Sequence, residues 1–325
     1  MNISPIVIPA PPAVASGFRS VAIDPTVLVA GDSWFNSTSY AFKCVQPTPN
    51  VWTTGGNVSA VRKLLAGAGG PSAGLVMGGL DTAVSYGYTL AETFNGSVWA
   101  TVSSLNAGRS YNAGGGSQSA GFTFGGYDGS VTYLVSIETF NGSAWSVGTS
   151  SGGPPRRLLD AVGTPTAALN FGGAVVAGAA QTTTEKYNGS AWTATGALPV
   201  AQAGSACAGV QTSALLMSDQ FGNLTTFSFN GSAWSVSSTL VVGVAIGMGS
   251  GLSNTDAFFY GGATAQLYNG VAWTATNPMS VSRSQASNGG SGSGGALTAA
   301  GLTAGLLQSS EYFGTVLRVK TFTVV

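Results

Sequence analysis

Apolar positions in this chain fall in short runs that end in glycine, and a polar turn followed by one tryptophan separates each run from the next. The runs are Leu75-Val-Met-Gly-Gly79, Phe122-Thr-Phe-Gly-Gly126, Leu169-Asn-Phe-Gly-Gly173 and Phe258-Phe-Tyr-Gly-Gly262. The turns are Asn95-Gly-Ser-Val-Trp99, Asn141-Gly-Ser-Ala-Trp145, Asn188-Gly-Ser-Ala-Trp192, Asn230-Gly-Ser-Ala-Trp234 and Asn269-Gly-Val-Ala-Trp273. The tryptophans stand 46, 47, 42 and 39 residues apart. A period in the forties, with one tight turn and one Trp per unit, is the pattern of small β-sheets arrayed around an axis.

Each unit is expected to supply four strands. Arg109-Ser-Tyr-Asn-Ala-Gly114 exemplifies strand 1, a Gly-rich turn follows, and strand 2 carries the Gly-Gly pair. Strand 3 is Ser136–Phe140, and Trp145 opens strand 4. Asn-Gly suits a type I′ hairpin because both residues accept positive φ. The Trp offers a large apolar side chain to the adjacent sheet, and Gly-Gly allows close backbone approach. Degraded copies extend the count. Leu215-Leu-Met-Ser-Asp219 precedes Trp234, Leu297-Thr-Ala-Ala-Gly301 stands near the C-terminus, and Val27-Leu-Val-Ala-Gly31 precedes Trp52. The expectation is an all-β chain forming a single seven-bladed β-propeller over residues 17–315, with six blades as the alternative. Residues 1–16, with Pro5, Pro9, Pro11 and Pro12, read as an extended N-terminal arm. Residues 316–325 alternate like a strand, to complete the last blade or close the ring with the first.

Composition narrows the function. Charged residues are 7% of the chain, against about 25% in a typical soluble protein. Eleven basic and eleven acidic residues leave no net charge. No basic face exists for phosphates, so nucleic acid is not an expected partner. The longest apolar run after the N-terminus, Leu240 to Met248, contains glycines and is too short to span a bilayer, so no membrane insertion is expected. The opening residues lack a basic stretch and make a poor export signal. A surface so poor in charge is a solubility hazard unless neighbouring subunits cover it.

The chain has no histidine. That removes Ser-His-Asp triads, Cys-His dyads and nearly all zinc, copper and haem sites. No catalytic residue, cofactor or metal is expected, and the chain reads as a non-enzyme. Cys44 and Cys207 fall on different units, too far apart for a disulfide, and read as buried thiols. Gly67–Gly70, Gly114–Gly116 and Gly247–Gly251 read as turns between strands 1 and 2, because no helix pattern follows them as a phosphate site requires. Asn-Gly-Ser reads as turn chemistry rather than a glycosylation signal. Asp32, Asp81, Asp128 and Asp219 read as turn residues after strand 2.

One charge pattern repeats. Arg62, Arg109 and Arg283 lie ten residues after the preceding Trp, Arg156 lies eleven after, and Arg19 holds the matching place in the first unit. Gln202 and Val244 stand there in the two remaining units. Glu92, Glu138 and Glu185 precede their Trp by seven, and Glu311 matches them. The arginines could ring one mouth of the channel and attract an anion or an acidic partner. Alternatively, Arg and Glu form structural pairs, since both are lost together from two units. Tyr86, Tyr88, Tyr127 and Tyr133 form a second candidate, aromatics that could stack on a glycan or contact a receptor. Ile3, Ile6, Val7, Ile8 and Pro9 make a third, a docking arm that could add to a neighbour's sheet edge.

The order Gly-Gly, aromatic, Trp resembles the kelch repeat, with Phe94, Phe140 and Phe229 where kelch units usually have Tyr. Tyr/Phe-Asn-Gly-Ser-x-Trp units alternating with Ala-Gly-rich strands resemble kelch-like propellers in virion proteins of tailed bacteriophages. The resemblance implies a virion structural protein of the tail, fibre or head surface, assembled in the host cytoplasm, with other virion proteins as partners. A host-attachment adhesin that binds a surface glycan or receptor is the alternative. A histidine-free polysaccharide lyase or hydrolase is the second.

Overall fold

Each Asn-Gly segment closes a hairpin that sets an aromatic residue opposite the Trp: Phe94 opposite Trp99, Phe140 opposite Trp145, Tyr187 opposite Trp192, Phe229 opposite Trp234 and Tyr268 opposite Trp273. The rings of each pair lie 4.8–5.1 Å apart. Gly142 alone takes positive φ in its turn, as do its four counterparts, while the asparagines do not. The expected type I′ conformation is therefore not formed. Glycine at the first central position, followed by Ser or Val, is the arrangement of a type II′ turn. Asn141 instead accepts hydrogen bonds at Oδ1 from Ser143 N (3.0 Å) and Ala144 N (2.9 Å), a side-chain contact that replaces left-handed backbone.

The computed structural model describes residues 18–21, 23, 32–38, 41–80, 87–130, 133–286, 289–290, 295–302 and 309–322. The expected arm, residues 1–16, lies outside them. Two compact units make up the chain: Met1–Val51 with Thr315–Val325, and Trp52–Gly314. Among the described residues there is no helix. In the smaller unit β1 (Phe18–Val21) pairs in parallel with β2 (Ser33–Asn36), which pairs antiparallel with β3 (Ala41–Asn57) from Ser33↔Cys44 to Asn36↔Ala41.

The larger unit is a β-propeller. Its first blade is β4 (Ala66–Gly70), β5 (Ala73–Met77), β6 (Ala91–Phe94) and β7 (Trp99–Thr101). The second is β8 (Ala113–Gly116), β9 (Gly121–Phe124), β10 (Ile137–Phe140) and β11 (Trp145–Val147). The third is β12 (Arg157–Thr164), β13 (Ala167–Ala174), β14 (Thr184–Tyr187) and β15 (Trp192–Ala194). The fourth is β16 (Ala206–Val210), β17 (Ser213–Met217), β18 (Thr225–Phe229) and β19 (Trp234–Thr239). The fifth is β20 (Met248–Ser253), β21 (Asp256–Gly261), β22 (Thr264–Tyr268) and β23 (Trp273–Ala275). All pair antiparallel in chain order, with the first strand of each innermost. The remaining arc holds β24 (Gly289–Gly290), β25 (Ala296–Ala299) and those parts of β26 (Ser309–Phe322) and β3 that belong to this unit, in the order β24-β25-β26-β3. Inner strands adjoin in sequence from β4 to β20, and β24 meets both β20 and β4.

The propeller thus has five four-stranded blades, not the seven expected nor the six of the alternative. The first and last counted units do not each form a blade. They share one sheet, because the strand that carries Trp52 joins the sheet of β25 and β26. Trp52 packs there on Phe258, Tyr260 and Phe313 at 5.3–5.8 Å.

The core lies between the blades. Leu75 and Met77 of the first meet Phe140 and Trp145 of the second, and Leu169 and Phe171 of the third meet Leu216, Phe229 and Trp234 of the fourth. Each buried aromatic contributes about 1.5–3 kcal/mol. The indoles also bond backwards: Trp145 Nε1 donates to Ser103 O (3.0 Å) and Trp192 Nε1 to Thr149 O (2.9 Å). The glycines expected in turns lie instead mostly within the inner strands β4, β8 and β20. A Cβ on Gly114 would stand 2.8 Å from Ala66 Cβ, and one on Gly249 would stand 2.5 Å from Cys207 O. Crowding at the axis selects these two, whereas Gly69 and Gly116 flank the turns that follow β4 and β8 and take positive φ, 73° and 94°.

Candidate functional site

Four arginines organise one level of the propeller. Arg62, Arg109, Arg156 and Arg283 precede the inner strands, and all are buried. Arg109 Nη1 donates to Gly125 O and Ser136 O, both at 3.2 Å, and Nη2 meets Glu138 Oε1 at 2.6 Å. Arg156 repeats this with Gly172 O, Thr183 O and Glu185 Oε2 (2.7 Å), and Arg62 with Gly78 O, Leu90 O and Glu92. Arg283 meets Ala300 O at 3.2 Å and Glu311 Oε2 at 3.1 Å. Each guanidinium therefore ties strand 2 to strand 3 of its own sheet.

The glutamates also hold the loop that enters the sheet. Glu138 accepts Asn106 N (2.7 Å) and Ala107 N (3.0 Å), and Glu92 accepts Ser59 N (2.7 Å). Gln266 takes this place in the fifth blade, where no Arg is present: its Oε1 accepts Val241 N (2.7 Å). Burial lowers the pKa of all four arginines, against the opposing pull of their glutamates. The alternative of paired charges describes these residues, whereas an anion-attracting mouth does not, because the guanidiniums have no surface to offer. Arg19 pairs with Trp34 in the register of β1 and β2, and its side chain lies outside the described residues.

Two residues beyond each of these positions, the backbone turns left-handed. Leu64, Tyr111, Leu158, Ile246 and Gln285 have φ between 50° and 57°, and Gly204 has 64°. Such a conformation costs an L-residue about 1–2 kcal/mol. A belt of hydrogen bonds accompanies it. Tyr111 N donates to Leu64 O (2.8 Å), Leu158 N to Tyr111 O (3.0 Å), Gly204 N to Leu158 O (2.8 Å), Gln285 N to Ile246 O (3.2 Å) and Leu64 N to Gln285 O (2.6 Å). The belt is interrupted where Ile246 N turns to Asp219 O (3.2 Å). A second set runs beside it: Gly79 N to Arg109 O, Gly126 N to Arg156 O, Gly173 N to Gln202 O, Gly262 N to Arg283 O and Gly301 N to Arg62 O, at 2.8–3.0 Å, while between the fourth and fifth blades the side chain of Ser218 donates instead, Oγ to Val244 O at 3.1 Å. The belt was not legible in the sequence, where only Gly204 hints at positive φ.

Inside the belt a cavity of about 70 Å³ is bordered by Leu64, Tyr111, Leu158, Asp160, Ser205 and Gln285. A larger one of about 350 Å³ is lined by the inner strands, with Gly67, Gly114, Gly163, Gly209 and Gly249 in its wall. Asp160 is the unexpected residue. Burial pushes its carboxyl well above the ordinary carboxylate range, against the pull of Ser205 beside it. Ser205 lies beside the carboxyl, but among the described residues neither Asp160 Oδ2 nor Ser205 Oγ completes a hydrogen bond of normal geometry. One signal could have found it: the corresponding places of the other blades hold Ala66, Ala113, Ala206 and Met248, opposite the same strand-2 position.

The tyrosines divide. Tyr86 lies outside the described residues, and Tyr88 is half-buried. Tyr127 and Tyr133 meet edge to face at 5.7 Å, with Tyr133 buried and Tyr127 half-buried. Arg157 lies against Tyr111 at 5.0 Å and Tyr133 at 5.4 Å. Ile3, Ile6, Val7, Ile8 and Pro9 fall outside the described residues. Cys207 is buried and unpaired, and burial raises its thiol pKa well above the usual value. Asp128 accepts Ser130 N (2.9 Å) and Asp219 accepts Phe221 N (2.8 Å), both as turn residues. Among the described residues no cluster of three or more His, Cys, Asp or Glu could hold a metal, and no helix is long and apolar enough to cross a membrane. Comparison with protein-family models and with curated proteins returns no match.

Proposed function

We propose that this chain is a non-enzymatic structural component of a tailed-bacteriophage virion, a kelch-like propeller docked on neighbouring subunits, with the proline-rich arm of residues 1–16 as the docking element. One observation carries the reading. Among the described residues of the larger unit, no charged side chain is exposed: each is buried or half-buried. Phe221, Val271, Val176, Val236 and Val147 are exposed in their place. Such a surface is poorly protected against association in free solution and well suited to cover by neighbours. The buried Arg–Glu pairs act inside the sheets, so they support a rigid scaffold rather than a reaction.

The test is composition of the particle. Quantitative mass spectrometry of purified virions from a host producing this chain should find it at a fixed copy number. Its absence from purified particles, together with monomeric sedimentation of the isolated chain at high concentration, would overturn the proposal. Glycan-array binding by a chain that never enters particles would favour the adhesin instead. Release of sugars from host polysaccharide would favour the enzyme.

A further inference from the structure

We propose that the cavity inside the belt binds a monovalent metal cation, sodium or potassium, through Asp160, Ser205 and the carbonyl of Gly204. Among the described residues Asp160 is the only acid on the inner strands β4, β8, β12, β16, β20 and β24. It is buried, at 8% exposure, and among the described residues no Arg or Lys borders the cavity with it. The other buried acids are provided for. Glu92, Glu138, Glu185 and Glu311 each meet an arginine, and Asp219 accepts Phe221 N and Asn223 N. Asp160 stands apart: its Oδ2 completes no hydrogen bond of normal geometry, and neither does the Oγ of Ser205 beside it.

The belt is broken at the same place. Leu64 O, Tyr111 O, Leu158 O, Ile246 O and Gln285 O each receive an N–H from the next inner segment. Gly204 O does not, because Ile246 N turns to Asp219 O instead. Gly204 is tied to the Asp160 segment by its own N–H, which donates to Leu158 O at 2.8 Å, and Ser205 follows it in the chain. All three residues border the cavity. A carboxylate, a hydroxyl and a carbonyl, each with lone pairs to spare, therefore share one sector of its wall, between the third and fourth blades.

Oxygen ligands suit a hard cation, and backbone carbonyls can replace the hydration shell of an alkali ion. The charge sets the valence. One carboxylate balances one positive charge, whereas a divalent ion would leave a net charge in a dry interior. Water alone would fill the lone pairs but leave the carboxylate uncompensated. The cavity of about 70 Å³ exceeds the space one water needs, so an ion and the waters that complete its shell have room. Burial favours the protonated acid, so the ion must displace a proton, and its binding weakens as pH falls. Tyr111 and Cys207 are the other titratable groups bordering the cavity, and the Cys207 thiol donates to Ala161 O. This site departs from the expectation of no metal, and it does not rest on the assembly reading above.

The experiment follows thermal unfolding of the full chain as choline chloride is exchanged for sodium or potassium chloride at constant ionic strength, which keeps screening unchanged. In choline the carboxyl has no counter-ion and costs stability as pH rises. Sodium or potassium should remove that cost and raise the melting temperature near pH 8 by about 3 °C or more. The rise should be smaller near pH 5, where a proton competes for the carboxyl. Asp160→Asn keeps the shape, removes the charge and should lose the rise. Ser205→Ala should weaken the apparent affinity several-fold, and it serves if the asparagine variant does not fold. No difference between choline and either salt, or an equal rise in wild type and both variants, overturns the proposal. A rise with calcium chloride alone overturns the assignment of a monovalent ion.

Discussion

Arg109 Nη2 meets Glu138 Oε1 at 2.6 Å, with both side chains fully buried, and the same glutamate accepts two backbone N–H groups of the loop entering the blade. The carboxylate is shared between a cation and a loop. Removing either ion alone leaves the other unpaired in a dry interior, which is costly, whereas replacing both can be nearly neutral.

The fifth blade shows how both can be replaced, since Val244 and Gln266 occupy the two places and Gln266 still accepts Val241 N. Arg109→Val alone should therefore destabilise the protein by about 3–5 kcal/mol. Adding Glu138→Gln should return more than about 1 kcal/mol of that loss. Urea unfolding of both single variants and the double reads the coupling. Simple additivity would show that the pair does not act as a unit.

Asp160 should make stability depend on pH. Its folded pKa is raised above the unfolded value, so the native state holds a proton that the unfolded chain has released. Stability from this group is complete below about pH 4 and is lost as pH rises toward the raised value. Asp160→Ala, the residue of three other blades, should raise the melting temperature at pH 7.5 by more than at pH 4.5. An equal effect at both values would remove the carboxyl as the cause.

Ring closure should be visible in hydrogen exchange. Gly301 N bonds to Arg62 O as Gly126 N bonds to Arg156 O, so their amides should be protected to a similar degree. Much faster exchange at Gly301 would place the opening seam of the propeller between the composite sheet and the first blade. Gly301→Val should open that seam, because φ is 98° there and a Cβ would stand 2.6 Å from Ala286 Cβ.

Much of this was legible in the residues. Compared among themselves, the repeats located strands such as Gly121–Phe124 and Trp145–Val147 to within a residue or two. They also revealed the joint loss of Arg and Glu, the signature of the pairs seen at Arg109 and Arg156. The inner strands were misjudged. Arg109-Ser-Tyr-Asn112 read as strand, but Tyr111 is left-handed and the strand begins only at Ala113. No local preference puts Tyr, Leu or Ile in that conformation, and only bonds between blades hold it there. Asp160 was missed for a related reason. Its place in the repeat, where three blades have Ala and one Met, marks it as exceptional, but only the structure shows that the carboxyl is buried.

The sequence by itself determined the repeat, the hairpins and the aromatic pair at each turn, because these depend on residues a few positions apart. Only the tertiary structure decided the number of blades, the left-handed belt and the difference between Arg156 and Arg157. Those depend on which sheets become neighbours. Trp52 and Phe313 meet across nearly the whole repeat array, and no periodicity within a unit records that the first and last units share one sheet. Arg156 and Arg157 are adjacent in the chain and chemically identical, and the environment of each alone makes one a buried strut paired with Glu185 and sets the other, half-buried, against the rings of Tyr111 and Tyr133.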